Sequence, residues 1–259
     1  MRLTVYYHYW LTTAKLSLQT AMENRLAVVF FTLGKLLRFV LFIGFIFLIG
    51  SQVQAVSGYS LQQLIVIFLV FNLFDLFGQI FFRGIYWFRD QIVTGEFDFR
   101  LVKPLNPLFQ VLTRQTDILD IPLLIIVILA LWRLPLALQA ADLVLFGLFS
   151  LAACVIITAL HILIAALGVL TTEVDHTIMI YRDLSGMARF PVDIYGQLIR
   201  SLLTFAIPIA LAFTLPAQAL LGWLTPRTAF LVLLSAGLIF SLSLKLWYFS
   251  LSRYSSASS

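Results

Sequence analysis

The chain has one cysteine and three histidines in 259 residues. A lone Cys154 excludes an intrachain disulfide framework and any cysteine-rich metal site. No two of His8, His161 and His176 have the spacing of an HExxH helix, so metal catalysis has no sequence support. The Gly-x-Ser-x-Gly elbow of many hydrolases is missing. A phosphate loop is missing too. The Gly34-Lys35 pair is followed by Leu36, and Val29 stands where the first glycine belongs. Leu184-Ser185-Gly186 has no nucleotide-binding cassette around it. If the protein works with ATP, another chain must bind it. Charge is scarce as well. Charged residues make up 11% of the chain, against about 25% in a soluble domain.

Apolar residues are what the chain has in plenty. They make up 61%, and the mean hydropathy is +1.01. This composition describes an integral membrane protein with short loops. The net charge of +5 is then a topology signal and not a nucleic-acid signal. Residues 1–24 mix Tyr6, Tyr9 and Trp10 with Arg2 and Lys15, which predicts an amphipathic helix lying in the interface. No apolar core followed by a small-residue cleavage site is seen there, so no signal peptide is expected. Apolar runs place spans near 27–50, 61–82, 118–136, 143–170, 198–221 and 228–250. The six-span domain then covers 25–250, and 251–259 reads as a disordered, serine-rich tail.

Charge placement gives an orientation. With the N-terminus inside, the inner segments hold Arg2, Lys15, Arg25, Arg83, Arg89, Arg100, Lys103, Arg114, Arg182, Arg189 and Arg253. The outer turns hold only Arg133 and Arg227. Both termini are therefore expected to be cytoplasmic. Lys35 and Arg38 fall inside the first apolar run, where a central cation costs about 2.5–3.5 kcal/mol. Two readings stay open for them: snorkelling to the inner headgroups, or a charged site on a substrate path. Asp75, too short to snorkel far, should face the protein interior, with Lys35 or Arg38 as its expected partner.

The largest inner segment, 83–116, is rich in aromatics and in charges of both signs. Gly95 breaks it, and Pro104 and Pro107 limit any helix beyond that point. Such a surface needs a partner or the membrane to pack on. Pro191, Pro208 and Pro216 interrupt the fifth apolar region. It reads either as a kinked packing helix or as a kinked span with a re-entrant or interfacial piece. Glu173, Asp175 and His176 form either a solvated turn or a small cation cluster. His161 reads as a packed histidine.

Three stretches carry a family resemblance: Gly58-Tyr59-Ser60; Gly95-Glu96-Phe97-Asp98 through Leu101 to Lys103-Pro104-Leu105; and Phe190-Pro191 through Ile207-Pro208 to Pro216-Ala217. With the six-span layout, the chain resembles the permease subunits of bacterial type-2 ABC exporters, in a branch that includes daunorubicin-export-like permeases. The resemblance implies an all-α integral membrane protein with six transmembrane helices and an N-terminal interfacial helix. It implies a bacterial inner-membrane location and a substrate pathway of which this chain forms half. The other half would be a second six-span permease, identical or related. ATP and Mg would be bound by separate cytoplasmic ATPase chains, with no cofactor on this one. The 83–116 segment would seat on the ATPase through Gly95, Glu96, Asp98, Arg100, Lys103 and Pro104. Pro208, Pro216 and Asp75 would shape the gate and pathway. Two other readings are an ion-coupled secondary transporter and a lipid-modifying membrane enzyme.

Overall fold

The structure, a computed structural model, describes residues 3–52, 55, 58–171 and 174–255. Among these residues the regular structure is helical. α1 (Leu3–Glu23) leads into α2 (Arg25–Gln52), which buries only Phe39 and Ile46 and leaves most of its length exposed. α3 (Leu61–Phe82) starts at a capping box: the Ser60 hydroxyl accepts from the Gln63 amide, and the Gln63 side chain accepts from the Ser60 amide. Apolar residues surround α3 on nearly every face, so it is the central helix of the bundle.

After a short turn at 83–87 come α4 (Phe88–Val93), α5 (Glu96–Leu101) and α6 (Pro107–Thr113). Asn106 caps α6, whose first position is Pro107, a residue that lacks the amide hydrogen that position leaves unbonded. α7 (Ile121–Arg133) packs against α3, and α8 (Ala140–Thr171) packs along α12 (Pro226–Arg253). α2, α8, α12 and the stretch Leu61–Val93 are each long and apolar enough to cross a bilayer alone. The pair Pro107–Thr113 and Ile118–Arg133 is bent by 51°, and Gln197–Ala206 with Ala210–Leu220 by 82°.

Between α8 and the second bent pair lies α9 (Val174–Gly186), followed by tight turns at Met187–Arg189 and Val192–Ile194. Its contacts trace a path from one end of the bundle to the other. Val174 fills the space a side chain at Gly168 would need. Arg182 donates to the Tyr86 hydroxyl at 2.9 Å, beyond the end of α3. Arg189 lies over the rings of Phe42 and Phe71, halfway along α2 and α3. Asp193 accepts from the Tyr59 hydroxyl at 2.9 Å, at the start of α3.

Residues 174–195 therefore make the fifth passage through the bundle. The segment expected to make it, 198–221, does not. α10 (Gln197–Ser201) and α11 (Leu215–Leu220) both lie at the Tyr59 end, where Arg200 and Gln218 each reach Asp193. Between them Phe213 reaches Phe71, at depth. The chain dips in and returns at the same end. The apolar run is a re-entrant pair, and the passage is made by a more polar segment. For the same reason Arg182 and Arg189, expected in an inner loop, stand on a passage. The tail expected from 251 begins in helix, because α12 runs to Arg253; residues 256–259 lie outside the described ones.

Candidate functional site

Both termini of the described chain sit at the end of the bundle opposite Tyr59. At this basal end α4 and α5 form a projecting knob. Gly95 makes the corner between them with φ 75°, a left-handed conformation that suits glycine. Phe97 is fully buried and holds α5 down, edge-on to Phe88 at 5.1 Å and to Tyr254 at 5.1 Å, and against Trp247. Burial, with Asp98 beside it, pushes the Tyr254 phenol up to about 12.

The residues expected to couple divide into two groups. Glu96 pairs with Arg100 at 2.9 Å and with Arg114 at 3.2 Å. Arg100 is buried, and its carbonyl accepts from the Gln110 side chain, so Arg100 faces inward and braces the knob against α6. Asp98 also points to an internal neighbour, Tyr254. Lys103 and Pro104 are exposed. Next to them Phe99 is 70% exposed and Val102 82% exposed. These two apolar residues, with Val93, make the outward surface of the knob. Composition alone flags the segment, but only the fold shows which of its aromatics is core (Phe97) and which is surface (Phe99).

α1 is fastened to this segment. Tyr6 packs edge-on against Phe109 at 4.9 Å and accepts from the Asn106 amide at 3.3 Å. The Thr13 hydroxyl donates to the Thr113 carbonyl, and the Ser17 hydroxyl accepts from the Thr116 amide. Trp10 stacks on Phe81. The N-terminal helix is thus a strap across α6.

A charged cluster lies between the ends. Lys35 pairs with Asp117 at 3.1 Å and with Asp120. Arg83 is 3.9 Å from Asp117 and donates to Gln79. Lys35, an expected partner of Asp75, is taken instead by the two aspartates at the head of α7. Sequence reasoning missed Asp117 and Asp120; the one available signal is a pair of acids three residues apart at the edge of an apolar run. Asp75 shares a cavity of about 330 Å³ with Lys35, Arg38, Asn72, Gln79 and Arg182.

A second, larger cavity of about 980 Å³ opens at the Tyr59 end. Tyr59, Gln218 and Arg200 all converge on Asp193, at 2.9, 3.0 and 2.9 Å. Burial, and then the hydrogen bond to Asp193, pushes the Tyr59 phenol up to about 12. Pro208 is buried at the bend of the re-entrant pair, and Pro216 is buried in the first turn of α11. His161 is a packed residue bonded to the Ile157 carbonyl. Among the described residues no group of three or more His, Cys, Asp or Glu could hold a metal ion. Of the 173–176 cluster, Glu173 lies outside the described residues, as does its neighbour Thr172.

A helical bundle with several bilayer-length apolar helices, ionic groups held at depth and a braced apolar knob at one end is the architecture of a multi-pass membrane protein. A family model described as ABC-2 family transporter protein matches residues 35–258, and the chain belongs to that family. It is a multi-pass membrane protein and the permease component of an ABC transporter, not itself an enzyme. No curated protein and no solved structure matches it.

Proposed function

We propose that this chain is the permease half of an ATP-driven exporter in a bacterial inner membrane, with both termini in the cytoplasm. The likeness of the 95–105 and 190–217 stretches to daunorubicin-export-like permeases supports export as the direction. A second permease, identical or related, completes the pathway. Two ATPase chains bind ATP and Mg and seat on the basal knob.

The observation that carries this reading is the knob itself. It leaves Phe99 and Val102 uncovered while Phe97, Glu96 and Arg100 fix its base. A rigid base lets a push on the surface move α6 and α3 and not merely bend a loop. An exposed aromatic beside Lys103 is the kind of residue that dominates a protein interface. Differential binding of the ATPase to two states of the permease then drives the switch. Asp75 lies on the pathway, and Pro208 and Pro216 shape the outer gate, which the Tyr59–Asp193–Gln218 cluster holds shut.

The test is Phe99→Asp, made in the host and read as the fraction of ATPase chain that stays with the membranes. The expected result is a loss of about tenfold or more, with the permease itself present at normal level because Phe99 supports no core. Undiminished membrane-bound ATPase would refute the docking assignment.

A further inference from the structure

The ionic cluster does not balance. Five cations line its connected cavities: Lys35, Arg38, Arg83, Arg182 and Arg189. Three carboxylates face them: Asp75, Asp117 and Asp120. Lys35 and Arg83 use Asp117 and Asp120. That leaves Arg38, Arg182 and Arg189 with Asp75, and among the described residues none of these three arginines forms an ion pair with a carboxylate.

What surrounds them is aromatic. Arg189 lies 5.6 Å from the Phe42 ring and 5.7 Å from the Phe71 ring, and Arg182 bonds the Tyr86 hydroxyl. Ring faces offset part of the cost of burying a cation, but they leave the guanidinium forks able to accept an oxyanion. Arg38 stands at the mouth. It lines the charged cavity on one side and, on the other, a shallow apolar groove with Leu37, Leu41 and Phe45 on the outer face of α2.

We infer that Arg38 and Arg182, which share the cavity of about 330 Å³ while Arg189 lines a neighbouring one of only about 20 Å³, form a binding site for the anionic headgroup of an amphiphile, with a phosphate-class oxyanion at the arginines and the apolar part along the α2 groove. An entering anion would neutralise charge that the chain leaves uncompensated. The groove beside the mouth gives the tail a place that a small free anion would not use. This deepens the transport reading by naming a substrate class, and its use in export rests on that reading. The binding itself does not, and can be measured without any ATPase.

The full-length chain, purified in an uncharged detergent, is titrated with phosphatidylglycerol, with phosphatidylcholine of the same chains, and with inorganic phosphate. Native mass spectrometry reads bound ligand, and a thermal melt checks the fold. The expected result is that phosphatidylglycerol binds about tenfold or more tighter than phosphatidylcholine, the worth of a charge-assisted hydrogen bond. R38Q and R182Q should each remove most of that preference. Arg38 is exposed on α2, so R38Q keeps the fold and remains informative if R182Q does not. Asp75→Asn should strengthen anion binding several-fold, an effect of charge that loosened packing would not give. Inorganic phosphate that displaces the lipid as readily as it binds the empty site would overturn the amphiphile assignment in favour of a free anion. A lipid that resists displacement would show that the tail contributes. Equal binding of the two lipids, a preference untouched by R38Q, or weaker binding in Asp75→Asn would each overturn the assignment. A lipid preference that survives while no ATPase ever associates would refute the exporter reading alone.

Discussion

At Gly84 the backbone leaves no room for a side chain. A Cβ there would stand 2.6 Å from the Val111 carbonyl oxygen and 3.0 Å from that of Leu112. These are backbone atoms of α6, so they cannot swing away. Gly95 differs: its Cβ would meet only Asp98 at 3.8 Å, and the cost is the left-handed backbone. Gly95→Ala should therefore cost about 1–2 kcal/mol and Gly84→Ala distinctly more, with equal melting temperatures as the contrary result. Lys35 supplies a second prediction at this scale. Its partner Asp120 is 1% exposed, so Lys35→Met leaves a buried carboxylate and should cost about 3–5 kcal/mol. Adding Asp120→Asn should return part of that. A double variant as unstable as the sum of the two single ones would show the groups do not act as a pair. Tyr59 gives a pH dependence. Its phenol is raised from 10 to about 12, so the unfolded chain releases this proton first. The stability it contributes is complete below pH 10 and is lost as pH rises toward 12. Tyr59→Phe should flatten the alkaline fall in melting temperature; an unchanged fall would assign it to other groups.

Among the elements, the helices that read most easily from sequence are those made of long uniform apolar runs: α2, α3, α8 and α12. α5 and its glycine corner are also legible, because Gly95 and the prolines punctuate a short segment. The fifth passage is not. Hydropathy favours 198–221, yet residues 174–195 carry Arg182, Arg189 and Asp193 through the bundle. Those charges are tolerated because Tyr86, Phe42, Phe71 and Tyr59 receive them, and a one-dimensional apolar scale cannot see a partner from another helix. The charged site is hidden in the same way. Asp117 and Asp120 lie 82 and 85 positions from Lys35, so nothing local connects them. Topology can be tested directly. In a Cys154→Ser background, Gln197→Cys and Trp223→Cys should react with a membrane-impermeant thiol reagent from the same side, and Val102→Cys from the other. Labelling of 197 and 223 from opposite sides would restore 198–221 as a crossing.

For the whole molecule, the two ends have different tasks. The basal end is rigid where α1, α6, α5 and the end of α12 lock together, and it presents one apolar surface. The far end has the larger cavity, closed by a few polar contacts around Asp193, which are easier to break and remake than a packed core. Between them lies a cation-rich cavity beside α2, a helix that buries little of itself within a single copy. In the proposed exporter this chain is one half of a larger machine. Native mass spectrometry of the protein, extracted mildly from its own host membrane, tests that most directly. The expected result is a complex of this 29.3 kDa chain with a second six-span permease and two ATPase chains. Recovery of the chain without any ATPase, under conditions that keep other ABC complexes whole, would contradict it.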